Sequence, residues 1–174
     1  MARIVITGGP GAGKTTLLLA LQARGYTIVG DTARTIIQDR VTRGLSPRPI
    51  AHEMTQETRR IDIDNYARHA ATSDTVFFDR GVVSGLYSLS GNESELQGWL
   101  SRYPYFHKVF LLPPWKEIYT TDAERDHTFE HAEWVYQVER AWYRRCGYQI
   151  LEVPKVSVAD RCEYVLQVLA SSDA

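Results

Sequence analysis

The sequence predicts an α/β fold with a mainly parallel sheet, and three observations predict it. Apolar strand-like runs alternate with helical stretches along the chain, the order that builds parallel sheets. Three of those runs, at 4–6, 76–78 and 109–112, are continuously apolar, as strands covered on both faces are. A glycine-rich stretch follows the first run and opens the first helix.

Strands are expected at 3–7, 27–30, 75–79, 108–112 and 148–153. The first helix, 14–24, carries Leu17, Leu18 and Leu21 and stops at Gly25, a residue suited to ending a helix. A second helix at 33–43 ends at Gly44 in the same way. Residues 45–50 hold two prolines and read as a loop, and 51–70 reads as a long polar helix. Trp134, Val135, Val138 and Trp142 recur at helical spacing, a pattern more typical of a core stripe than of a binding box. The last helix starts at Ser157, with Asp160 three residues on as an N-cap pattern. Val158, Cys162, Val165, Leu166 and Leu169 then share one face, which makes Cys162 a core residue. No repeat, biased tract or linker divides the sequence, so residues 1–174 are expected to form one domain.

Composition excludes several function classes. A hydrophobic fraction of 44% with 24% charged residues belongs to a folded protein rather than a disordered one. Twenty basic against 21 acidic residues give a net charge of −1, without the basic footprint of a nucleic-acid binder. Two cysteines, Cys146 and Cys162, are too few for a disulfide scaffold. No apolar run approaches the roughly 20 residues of a membrane span, and no signal peptide is read at the N-terminus. The expected setting is cytoplasmic, with no nucleic-acid or membrane partner.

The chemistry is concentrated at the first strand–helix junction. Gly8-Gly9-Pro10-Gly11-Ala12-Gly13-Lys14-Thr15 fits GxxxxGK[ST], the Walker A loop, in the strand-to-helix context it needs. Glycines let backbone N–H groups wrap phosphates, and the helix N-terminus adds positive potential. Gly8, Gly9, Pro10, Gly11, Ala12, Gly13, Lys14, Thr15 and Thr16 are therefore expected to bind ATP. Lys14 should reach the β- and γ-phosphates, and Thr15 should place its hydroxyl on Mg²⁺. Val76-Phe77-Phe78-Asp79 is an apolar run ending in a carboxylate, the Walker B pattern, so Asp79 is the second expected Mg²⁺ residue.

The stretches GGPGAGKTTLL, DTAR, VFFDRG, VFLLPPWKEIY, DAER and VPKVSVADR resemble the P-loop kinase group. That group includes deoxynucleoside kinases, thymidylate kinases and the ribosylnicotinamide kinase domain of bacterial NAD regulators. Over nearly the whole chain the resemblance extends to small stand-alone bacterial proteins labelled AAA-type ATPases. It implies a three-layer α/β/α P-loop NTPase with five strands in the order 2-3-1-4-5. Two departures stand out. The related proteins usually have Glu before the Ala-Arg pair, where this chain has Asp31-Thr32-Ala33-Arg34, and the lid holds few arginines.

By that resemblance, Asp31 orients the attacking hydroxyl or accepts its proton; the residue type equally suits a helix N-cap. Arg34 binds the acceptor or its phosphate, or is a surface arginine. Arg80 contacts the acceptor or the phosphoryl oxygens, where a bidentate fork suits a loose transition state. Residues 115–128 look like a kinase lid, with Arg125 folding over the phosphates or sitting in a salt-bridged surface. Lys155 borders the adenine or is solvated. His127 and His131 have a metal-binding spacing but no third ligand, so no zinc site is expected. The expected activity is an ATP- and Mg²⁺-dependent kinase acting on a small-molecule hydroxyl, nucleoside- or riboside-like, in a monomer or homodimer. Its expected catalytic residues are Lys14, Asp31, Arg80 and Arg125. The alternative is an ATPase or nucleotide-dependent switch working with a protein partner. A GTPase is disfavoured because no NKxD follows the fourth strand, and a full AAA+ motor by length.

Overall fold

The computed structural model describes residues 2–47, 49–119 and 128–171. Along the chain run β1 (Arg3–Gly8), α1 (Lys14–Gln22), β2 (Thr27–Val29), α2 (Thr32–Thr42), α3 (Ala51–Arg68) and β3 (Val76–Asp79). A 3₁₀ helix (Val82–Leu89), α4 (Glu93–Arg102), β4 (Lys108–Leu112) and a 3₁₀ turn (Lys116–Ile118) follow. The chain closes with α5 (Phe129–Arg145), β5 (Gln149–Glu152) and α6 (Val158–Ala170).

The strands form a sheet in the order β2-β3-β1-β4-β5, parallel at each pairing, as the resemblance implied. The three continuously apolar runs are its three central strands. Their alternation divides the core in two. Val5, Val76, Phe78 and Val109 face one layer with Leu86, Leu96, Tyr105 and Tyr143. Ile4, Ile6, Phe77 and Phe110 face the other with Leu17, Leu21, Cys162 and Val165. Each such Leu, Ile or Phe contributes about 1.5–3 kcal/mol by burial. Cys162 is fully buried, as expected.

The chain order reverses at β1, which has β3 on one side and β4 on the other. Ligand crevices in such sheets open at this point, beyond the strand C-termini. The register places Ile6 opposite Asp79 and Gly8 opposite Leu112, so the glycine-rich loop and the end of β3 share one rim.

Several boundaries differ from expectation. α1 stops two residues early, α2 begins at Thr32, and the stretch between β3 and β4 holds two helical elements the sequence did not suggest. The stripe expected on α5 is displaced: of its members only Trp142 is buried, and Trp134 is 61% exposed. The buried face is instead Ala132, Tyr136, Glu139, Trp142 and Tyr143. Hydropathy missed that face because it contains a carboxylate, a small residue against the glycine loop and tyrosines. Among the described residues no helix is long and apolar enough to cross a membrane.

Candidate active site

The loop between β1 and α1 is shaped by what glycine permits. Gly13 caps α1 in the left-handed region at φ 87°, with no side-chain cap, so the first-turn amides are left for a ligand. A Cβ on Gly9 would collide with the carbonyl of Ala132 in α5. Lys14 is buried and folds back over the loop, its Nζ donating to the carbonyls of Gly8 and Gly9 at 3.1 Å each. A cavity of about 380 Å³ opens here, lined by Gly11, Ala12, Gly13, Lys14, Thr15, Thr16, Arg34 and Arg161 among others. Arg34, expected near the acceptor, lines this cavity rather than the neighbouring one. Gly8, Gly9 and Pro10 form the loop's approach from β1.

Asp79 ends β3 and is 4% exposed, and its Oδ1 has no hydrogen-bond partner. Burial pushes its carboxyl above the ordinary value; Lys14 and Arg80 oppose the shift, while Asp31 and Glu139 add to it. An orphaned buried carboxylate oxygen fits the hard-oxygen preference of Mg²⁺, and Thr15 lines the neighbouring cavity. Among the described residues no group of three or more His, Cys, Asp or Glu could hold a metal ion, and Mg²⁺ commonly takes few protein ligands alongside substrate phosphates.

A second cavity, also about 380 Å³, lies beyond Asp79. Asp31, Asp62, Asp79, Arg80 and Ser84 form its polar part, with Met54, Thr58, Gly85 and Tyr87 in its walls. Asp31 both caps and lines: its Oδ1 accepts from the Arg34 amide at 3.1 Å at the start of α2, and its carboxylate borders the cavity. Burial alone would raise its pKa, but Arg80, Lys14 and the Arg34 amide outweigh burial and hold it below the ordinary value.

Arg80 has φ 67°, a conformation costly for a residue with a side chain. Its amide donates to the Ile6 carbonyl at 3.0 Å, and its own carbonyl accepts from the Tyr143 hydroxyl at 2.6 Å. Its Nη2 donates to the Gly8 carbonyl at 3.3 Å, which joins the second cavity to the glycine loop. Burial works against the cation, but Glu139, Asp79 and Asp31 overcome it and raise the Arg80 pKa.

Sequence reasoning missed three of these groups. Glu139, on the buried face of α5, accepts from Thr7 at 2.7 Å and from Ser84 at 3.0 Å. Asp62, on α3, accepts from Thr32 at 2.5 Å. Burial, aided by Asp31 and Asp79 and opposed by the Thr32 hydrogen bond, raises its carboxyl to about 7. Arg161, in the VADR stretch, is 5% exposed against the loop. None of the three sits in a strand-end motif, and only Arg161 falls in a stretch that the resemblance covered. Lys155 is exposed and lines neither cavity. Arg125 and His127 lie outside the described residues.

A profile of the AAA domain family matches residues 3–161. Among solved structures, a deoxyadenosine kinase from M. mycoides with products dCMP and a flexible dCDP bound is similar at a TM-score of 0.67 and 16% identity, covering 97% of this chain and 99% of that one. A shikimate kinase from Acinetobacter baumannii in complex with shikimate follows at 0.61 and 16%, covering 99% and 94%. A thymidylate kinase from Candida albicans stands at 0.57 and 14%, covering 99% and 92%. At these identities the likeness establishes a shared P-loop kinase fold. No curated protein matches the chain significantly.

Proposed function

The chain belongs to the AAA domain family, and from that premise we propose that it is a phosphotransferase moving the γ-phosphoryl group of ATP to a hydroxyl of a small molecule. One observation carries the proposal: a second cavity large enough for a small acceptor adjoins the P-loop cavity, with Asp31, Asp79 and Arg80 in its lining. A nucleotide switch needs the first cavity and has no use for the second.

In this reading the loop amides and Lys14 bind the triphosphate. Thr15 and Asp79 hold Mg²⁺, which when bound offsets charge on the phosphate oxygens. Asp31 is ionised at neutral pH and accepts a hydrogen bond from the acceptor hydroxyl, fixing its line of approach. As the acceptor O–P bond forms and the bond to ADP breaks, the hydroxyl proton passes to Asp31. A depressed pKa makes Asp31 a better orienter than base, which suffices for a loose transition state in which the proton leaves late. Arg80, permanently charged and held by its backbone, stabilises the phosphoryl oxygens without rearranging. The walls formed by α3 and the 3₁₀ helix select the acceptor, and nucleoside- or riboside-like polyols are the first class to try.

The test is ADP release from MgATP with and without pooled nucleosides, ribosides, vitamins and sugars. Strong stimulation by one pool is expected. A rate unchanged by every pool, yet lost in Lys14→Ala, would replace the kinase with an ATPase or partner-gated switch.

A further inference from the structure

Arg161 is used by none of the chemistry above, and its surroundings are unusual for an arginine. It lies in the first turn of α6, its amide bonded to the Ser157 carbonyl at 3.0 Å. The side chain is 5% exposed and lines the P-loop cavity. Its Nη1 lies 2.7 Å from where a Cβ on Gly13 would stand, which sets the guanidinium against the loop at the start of α1. The Trp115 ring lies 5.5 Å from its Cζ. Among the described residues no carboxylate pairs with this guanidinium, no acceptor is hydrogen-bonded to it, and its Nε is buried without a partner.

Carboxylates are not scarce nearby. Glu163, two residues on, pairs with Arg24 at 2.9 Å, and Asp160, one residue back, accepts from the Ser157 hydroxyl at 2.6 Å. Arg80 shows the contrasting arrangement, with Glu139, Asp79 and Asp31 around a cation of the same type. A buried charge without a counter-charge is strongly disfavoured unless an anion arrives to meet it. Burial accordingly lowers the Arg161 pKa, with only Cys162 acting weakly against it.

We infer that Arg161 is an anion-binding residue of the donor cavity, clamping a phosphate of the nucleotide that stays with ADP. The inference rests on the reading that the P-loop cavity holds a nucleoside triphosphate. The part of the nucleotide follows from position. Arg161 shares a cavity with Gly13, Lys14, Thr15 and Thr16, whereas Asp31, Asp79 and Arg80 line the other one. It therefore faces the retained phosphates rather than the one being transferred, and it grips ATP and ADP alike.

The experiment is calorimetric titration of the full chain with MgADP and with inorganic pyrophosphate, on wild type, Arg161→Met, Arg161→Lys and Lys14→Ala, with a melting curve for each. Arg161→Met should weaken both ligands about 10–100-fold, the loss expected for a charge-assisted contact to phosphate. Arg161→Lys should recover part of that loss. The ligand-free melting temperature of Arg161→Met should not fall, because removing an uncompensated buried charge relieves the apo fold. Unchanged ligand affinity with a lower apo melting temperature would overturn the inference in favour of a packing role. A loss for MgADP but none for pyrophosphate would overturn it in favour of a base or ribose contact. Lys14→Ala binding both ligands as wild type does would instead overturn the donor-site reading beneath it.

Discussion

The two cavities, linked by the hydrogen bond from Arg80 to the Gly8 carbonyl, are built by opposite means. The donor cavity draws most of its lining from a run of consecutive residues, 11–16, and offers backbone amides with the cations Lys14, Arg34 and Arg161. The proposed acceptor cavity gathers side chains from α2, α3, β3 and the 3₁₀ helix, and its charged groups are chiefly carboxylates, set among hydroxyls. On the phosphotransferase reading proposed above, the difference follows from the ligands. A triphosphate presents the same oxygens every time, so one local loop conformation suffices. An acceptor must be recognised as a whole shape, which only separate elements brought together by the fold can enclose.

Substitutions on the two sides should therefore fail differently. Lys14→Ala strikes the donor side and should have the largest effect, abolishing turnover by on the order of 10³-fold or more, measured as ADP release. Asp31→Asn should lower acceptor phosphorylation about 10²–10⁴-fold while MgATP affinity stays within a few-fold. Asn also caps helices well, so α2 is kept and the loss reports chemistry. Equal damage to MgATP binding in Asp31→Asn and Lys14→Ala would erase the division between the cavities.

Glu139→Ala sharpens the comparison from behind the acceptor side. It strips Thr7 and Ser84 of their acceptor and Arg80 of its main counter-charge. Urea unfolding should show a loss of about 3–5 kcal/mol, as for other broken buried charge arrangements. The smallest effect expected is at Asp62. Its pKa rises from 3.8 to about 7 in the fold, so between those values the native state keeps a proton that the unfolded chain releases. This contribution to stability is complete below pH 4, falls as pH rises towards 7, and is lost above it. Asp62→Asn has no such titration, and its stability relative to wild type should rise by about 3–4 kcal/mol between pH 4 and pH 8. A flat difference across that range would mean that Asp62 is ionised in the fold.

The same division explains what could be read from the sequence. The glycine loop, Lys14, Thr15 and Asp79 were legible because each sits at a fixed offset from a strand end, and the three central strands because double burial leaves an unbroken apolar run. Asp31 and Arg80 were legible because they directly follow strand runs. Asp62 and Glu139 were not. On polar α3 one more carboxylate carries no signal, and on α5 the burial of Glu139 depends on Thr7 and Ser84, which lie 132 and 55 residues away along the chain. The misplaced stripe on α5 has the same origin: Trp134 looks like core by hydropathy, but the helix turns its Ala132–Tyr136–Glu139 face to the glycine loop and Arg80.

Among the described residues Arg80 is the one non-glycine residue with a positive φ, and Ile6 and Tyr143 grip its peptide groups on either side. The anchoring lies in the main chain and in neighbours outside the acceptor walls. Met54, Thr58 and Tyr87 on those walls make no hydrogen bond to Asp31, Asp79 or Arg80. On the proposed function, drift at those wall positions leaves the transfer apparatus standing, and the scaffold can diverge toward new acceptors by small steps, each intermediate still able to move phosphate. What the strained backbone at one arginine confers over many generations is freedom for its surroundings to change.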